Sequence, residues 1–148
     1  MAYSFAMHDA ITRSTFAYAT VLFAVLFSPQ VGLSHHDAGG NLLSLFPDVL
    51  SFLGMLATVY VAVRHAMAGA AHERFERGFA RGAAVSCIGA ALYAIGIAVI
   101  GPTVFSDRAF TWTVVVLSAV VVSAVGTAAS ALFAHLTLRS AAAGGRAA

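Results

Sequence analysis

Four long apolar runs, separated by short polar breaks, organise this chain. The first extends from about Ile11 to Ser28 and is closed by Pro29 and Gln30. The second runs from Phe46-Pro47 to about Arg64, the third from Phe79 to Gly101, and the fourth from Phe110 to Leu138, stopping at Arg139. A spanning helix needs roughly 20 apolar residues, with about 17–25 common, so the first is a little short and the fourth long enough to tilt. Inside hydrocarbon every backbone N–H and C=O must be satisfied within the segment, which makes runs of this kind helical. The pattern therefore predicts an all-α integral membrane four-helix bundle. It forms one domain over residues 1–148, with spans at about 11–28, 46–64, 79–101 and 110–138 and a flexible tail over 140–148.

Composition agrees with lipid as the solvent. The chain is 60% hydrophobic and only 9% charged, whereas a soluble domain carries about a quarter charged residues. Mean hydropathy is +0.88 and the pI is about 9.1. All eight basic residues are arginine. Arg13 precedes the first run, Arg64, Arg74, Arg77 and Arg81 lie between the second and third, and Arg139 and Arg146 follow the fourth. Arg108 alone falls on the other side. Basic residues are retained on the cytoplasmic face, so both termini and the middle loop are expected there. The arginines are not gathered into a stripe with polar or aromatic readers, which argues against a nucleic-acid partner. A competing reading takes residues 1–34 as a signal peptide cleaved after Ser34, leaving three spans in the same orientation.

The segment from Ala70 to Gly82 reads as a helical extension of the third span. Glu73 and Arg77 sit four apart in the favourable order, worth about 0.2–0.5 kcal/mol. Phe75 and Phe79 share the same spacing, so one face can rest at the headgroups while Arg74, Arg77 and Arg81 reach lipid phosphates. A docking site for a cytoplasmic partner is the sharper reading of the same residues. Trp112 is the best placed interfacial anchor.

Small residues mark helix contacts in lipid, where there is no hydrophobic force between helices. Gly82, Gly89 and Gly96 recur every seven residues and draw one stripe for a close neighbour. Ser123, Thr127 and Ser130 line one face of the fourth run beside Gly126 and read either as plain packing or as a polar pathway. The single cysteine, Cys87, lies in an apolar segment and is expected to behave as a small buried hydrophobe.

Few residues offer chemistry. Asp48 follows Pro47. With Pro47 at the first helical position, it is an acidic residue in the favourable first turn. With an earlier helix start, it would lie inside the bilayer as an ion or proton site, together with the hydroxyls of Ser123, Thr127 and Ser130. His35, His36 and Asp37 form a compact external cluster of metal-ligand types, which reads first as a solvated loop and second as a pH sensor. His65 and His135 end the second and fourth spans, where histidine complements the helix dipole. They are also the pair from which an axial haem site would be built. No nucleophile–base set, phosphate loop or zinc spacing is present, so no enzymatic activity and no cofactor are expected.

Phe75-x-x-Gly78-Phe79-x-x-Gly82, followed by Tyr93 and preceded by Gly54-Met55, resembles the central part of a family of uncharacterised bacterial four-helix membrane proteins (domain-of-unknown-function family 4199). The resemblance covers about residues 52–96. The loop from Ala68 to Arg74 lacks the family's usual glycine pair. What the resemblance implies is a multi-pass protein of the bacterial inner membrane, with no activity to carry over. The expected role is that of a structural or accessory subunit that binds a membrane partner or itself through the glycine stripe, surrounded by membrane lipids. The alternatives are a small oligomeric carrier built on Asp48 and a haem-binding redox subunit.

Overall fold

Each of the four apolar runs is a helix, and each helix outlasts its run. The computed structural model describes the backbone of residues 2–33, 46–68, 74–104 and 112–144, and the side chains of 12–29, 48–68, 74–100, 113 and 115–142. The helices are α1 (Ala2–Leu33), α2 (Phe46–Ala68), α3 (Arg74–Val104) and α4 (Trp112–Gly144). Over Asp48–Ala68, Arg74–Ile100 and Val115–Ala142, three of them are long and apolar enough to cross a membrane.

Two expected ends move. Pro29 does not close the first helix, which continues to Leu33. Proline removes the N–H that would bond the carbonyl four residues back, a loss that membrane helices tolerate where neighbours re-satisfy the freed group. Next to it, the buried Ser51 of α2 donates to the Leu26 carbonyl at 3.5 Å. At the other terminus α4 continues through Arg139 and Ser140 to Gly144, where the sequence suggests a loose tail. The alanines at 141–143 are the strongest helix formers. Of the expected helical extension over Ala70 to Gly82, the part from Arg74 is helical, and residues 70–73 lie outside the described residues.

Packing partners fix the topology as up-down-up-down. Tyr18 and Val25 of α1 meet His65 and Gly54 of α2, so these helices are antiparallel. Ser14 and Phe23 of α1 meet Arg81 and Gly96 of α3, so these are parallel. Gly82 and Gly126 face Ser130 and Ser86, which makes α3 and α4 antiparallel. Among the described residues α2 and α3 each touch every other helix, whereas α1 and α4 do not meet. The bundle is thus two three-helix wedges sharing the α2–α3 edge. One core joins Leu22 and Leu26 of α1 to Met55 and Ala62 of α2 and Val85 of α3. The other joins Val59, Val63 and Met67 of α2 to Ala129 and Ala134 of α4.

The outside is as apolar as the inside. Leu53, Ile95, Val99, Leu117 and Val120 are all more than half exposed. Patches of this extent are rare on soluble monomers and suit a lipid surround. Polar side chains within the helices turn back on their own backbones. Thr20, Thr58, Ser86, Ser130 and Thr137 each donate to the carbonyl four residues earlier, at 2.7–2.9 Å.

Candidate functional site

Among the described residues, α3 and α4 meet along a closely built seam. Gly82 and Ser86 occupy one helix, Gly126 and Ser130 the other, each pair four residues apart. Each serine donates to its own helix's glycine carbonyl, Ser86 to Gly82 at 2.8 Å and Ser130 to Gly126 at 2.7 Å. Each serine also packs on the opposite helix's glycine, so a methyl at Gly82 or Gly126 would overlap Ser130 or Ser86. Both serines are fully buried. The arrangement is reciprocal because antiparallel helices bring the two Gly-x-x-x-Ser units face to face.

The stripe of Gly82, Gly89 and Gly96 does not serve a single neighbour. A Cβ on Gly82 would lie 2.7 Å from Val63 of α2 and overlap Ser130 of α4. On Gly89 it would meet Leu22 of α1 at 2.6 Å, and on Gly96 it would meet Phe23 of α1 at 2.8 Å. A straight helix drifts about 20° per heptad, and α3 is wedged among three helices, so the stripe passes from one to another. Its space is filled by the chain itself.

The outer side of the same helix pair is different. Ala90, Ala91 and Ala94 of α3 and Ser123, Thr127 and Ala128 of α4 line an open groove of about 770 Å³. Cys87 lies in it and is exposed, not buried as its apolar surroundings suggest. Ser123 and Thr127 are therefore separated from Ser130, which belongs to the inner seam, and none of the three lines the cavity that contains Asp48.

Asp48 stands in the first turn of α2, directly after Pro47, and is exposed. It rims a cavity of about 430 Å³ to which all four helices contribute. Ser51, Tyr93 and Ser118 are the hydroxyl-bearing residues of its lining. Leu26, Met55 and Ser51 are its buried floor, while Phe52, Leu117 and Val121 are exposed at its edge. Sequence reasoning missed Ser51, Tyr93 and Ser118, because each is a single polar residue in an apolar run on a different turn or helix.

At the opposite end lie the described arginines. Arg81 is half-buried and donates to the hydroxyls of Thr15, at 3.3 Å, and Ser14. It therefore ties α3 to α1, where the sequence suggests a headgroup contact alone. Arg74 and Arg77 are exposed on the first turn of α3. Phe75 and Phe79 stack at 6.2 Å, while Gly78 of the same motif turns to α2 and Gly82 to α4 and α2. His65 shares a 2.8 Å hydrogen bond between Nδ1 and the Tyr18 hydroxyl, and His65 and His135 are both exposed. Among the described residues no three His, Cys, Asp or Glu side chains come together as metal ligands. His35, His36 and Asp37 lie outside the described residues, as do Glu73, Arg108, Arg146 and the Trp112 side chain.

No family model matches the chain, and neither a curated protein nor a solved structure matches it.

Proposed function

We propose that this is a non-enzymatic, multi-pass protein of the bacterial inner membrane that serves as a structural or accessory subunit by binding a second copy of itself. The orientation we infer places both termini and the α2–α3 connection in the cytoplasm. Its support is the up-down-up-down packing, which gathers Arg13, Arg64, Arg74, Arg77, Arg81 and Arg139 at one end of the bundle. Such a bias is what orients membrane proteins. The resemblance of Phe75-x-x-Gly78-Phe79-x-x-Gly82 to the four-helix family adds the bacterial setting. In this fold the motif's glycines pack and its phenylalanines stack, which fits a structural use.

The observation that carries the subunit role is the outer α3–α4 groove. Leucine, valine and isoleucine are the usual lipid-facing residues; here, apart from Phe79, Val116 and Val120, the lining is alanine, serine, threonine and Cys87 along two adjacent helices. In lipid, small residues allow backbones to approach and gain dispersion contact. A second copy is the simplest occupant, since a groove paired with its own two-fold image makes a closed, self-complementary interface.

Light scattering on chromatographed protein in mild detergent, with intact-mass spectrometry of each peak, tests this. Wild type should run as more than one chain, and Ala91→Trp with Ala128→Trp should reduce it to one. Val99→Ala, outside the groove, should leave the assembly unchanged. A monomeric wild type, or an assembly indifferent to both tryptophans, removes the proposal.

A further inference from the structure

The cavity at the Asp48 end has a chemistry of its own, independent of the outer groove. Its volume of about 430 Å³ falls within the roughly 300–1,000 Å³ of small-molecule sites, which are mainly apolar with a few converging polar groups. Here the polar groups are one carboxylate, Asp48, and the hydroxyls of Ser51, Tyr93 and Ser118, drawn from α2, α3 and α4. The remainder is hydrocarbon and the Phe52 ring. Asp48 and Phe52 are exposed at the edge, while Leu26, Ser51 and Met55 are buried beneath. A ligand would therefore enter with its apolar part leading and leave its polar head at the carboxylate.

Ligand classes separate on this donor set. An anion would face the carboxylate directly. A bare divalent cation such as calcium needs about 6–8 oxygens at about 2.3–2.6 Å, and one carboxylate with three hydroxyls in a space this large does not supply them. A neutral apolar molecule would use the walls and ignore Asp48. An ammonium group on a hydrocarbon body uses everything present. Its N–H groups donate to the carboxylate and hydroxyl oxygens, with a charge-assisted bond to Asp48. Aromatic rings such as those of Phe52 and Tyr93 attract a cation within about 6 Å of their faces, and the aliphatic floor takes the hydrocarbon.

We propose that the cavity bounded by Asp48, Ser51, Phe52, Tyr93 and Ser118 is a binding site for an organic ammonium ion with an apolar body. The same chemistry is offered by a free hydrophobic amine and by the amine headgroup of a membrane lipid. Asp48 sits at a helix N-terminus at the end of the bundle away from the described arginines, at the depth where either would approach from the headgroup layer.

Equilibrium dialysis of the full-length protein in a neutral maltoside detergent, with radiolabelled phenethylamine as probe, tests the site. Wild type should bind saturably, close to one per chain, and 3-phenylpropanol, which lacks the charge, should compete less well than unlabelled phenethylamine by about tenfold or more. Asp48→Asn should weaken binding about tenfold or more, the size of losing one charge-assisted contact, and Asp48→Glu should restore most of it. Asp48 is exposed, so both variants should fold, as circular dichroism will verify. Native mass spectrometry separates the two sources. A phosphatidylethanolamine adduct on wild type, displaced by phenethylamine and absent from Asp48→Asn, identifies lipid; saturable amine binding without that adduct identifies free amines. Only unsaturable partitioning of the probe, or equal affinity in folded Asp48→Asn, overturns the proposal.

Discussion

The inner seam and the outer groove of the α3–α4 pair are made from the same alphabet and do opposite things. On the inner side Gly82, Ser86, Gly126 and Ser130 interlock until no methyl can be added. On the outer side Cys87, Ala91, Ser123, Thr127 and Ala128 leave an open trough. A soluble helix distinguishes its two sides by polarity. Here α4 is apolar all round, as expected of a span, and small residues appear on both sides. What separates them is whether another helix of the same chain has already moved in.

That difference should be measurable, most strongly by adding bulk. Gly82→Leu must push Ser130 and Val63 aside and should destabilise the bundle by about 3 kcal/mol, the upper part of the overpacking range. Ala91→Leu, in the open groove, should change monomer stability by no more than about 0.5 kcal/mol. Thermal denaturation in mild detergent, followed by circular dichroism, compares the two. Equal losses would mean that the groove is as filled as the seam.

A smaller effect is expected at the arginine end. Arg81→Met keeps much of the stem but loses the donors to Ser14 and Thr15. With the site half-exposed, about 1 kcal/mol should be lost, towards the low side for hydrogen bonds from a charged group. The same melts will report it, and a control at the exposed Arg77 should shift less. Smallest of all is the hydroxyl comparison. Ser86→Ala retains the close approach to Gly126 and removes a bond to its own helix, so no more than about 0.6 kcal/mol is expected, the average for hydrogen bonds between helices in lipid. Ser123→Ala in the groove should be silent in the monomer. If Ser86→Ala cost several kcal/mol, the seam would owe its strength to hydrogen bonding and not to shape.

Much of the fold was legible along the chain. The four runs located the four helices, and the i, i+4 spacing of Phe75 and Phe79 correctly carried the third helix back beyond its apolar start. The helix ends were less legible. Pro29 and Arg139 read as stop signals, yet α1 continues to Leu33 and α4 to Gly144. Of the candidate residues, Asp48 was visible because a lone acid beside an apolar run stands out. Its companions were not, since Ser51, Tyr93 and Ser118 are ordinary polar residues that line one cavity only across helices.

Arg81 and Cys87 show the same limit from two directions. One is a charged residue that turns inward to hydroxyls of α1, the other an apolar-context thiol that turns outward. By itself the sequence determined the apolar character of the helices, their number and, through the spacing of its arginines, which helix ends belong together. Those follow from composition and run length, because a backbone in hydrocarbon has few ways to satisfy itself. Only the tertiary structure decided which small-residue face is closed, that Gly82, Gly89 and Gly96 serve different neighbours, and which hydroxyls join Asp48. In lipid both sides of a helix are equally apolar, so inside and outside are settled by the fit of one surface against another, and that fit is a property of the assembled bundle.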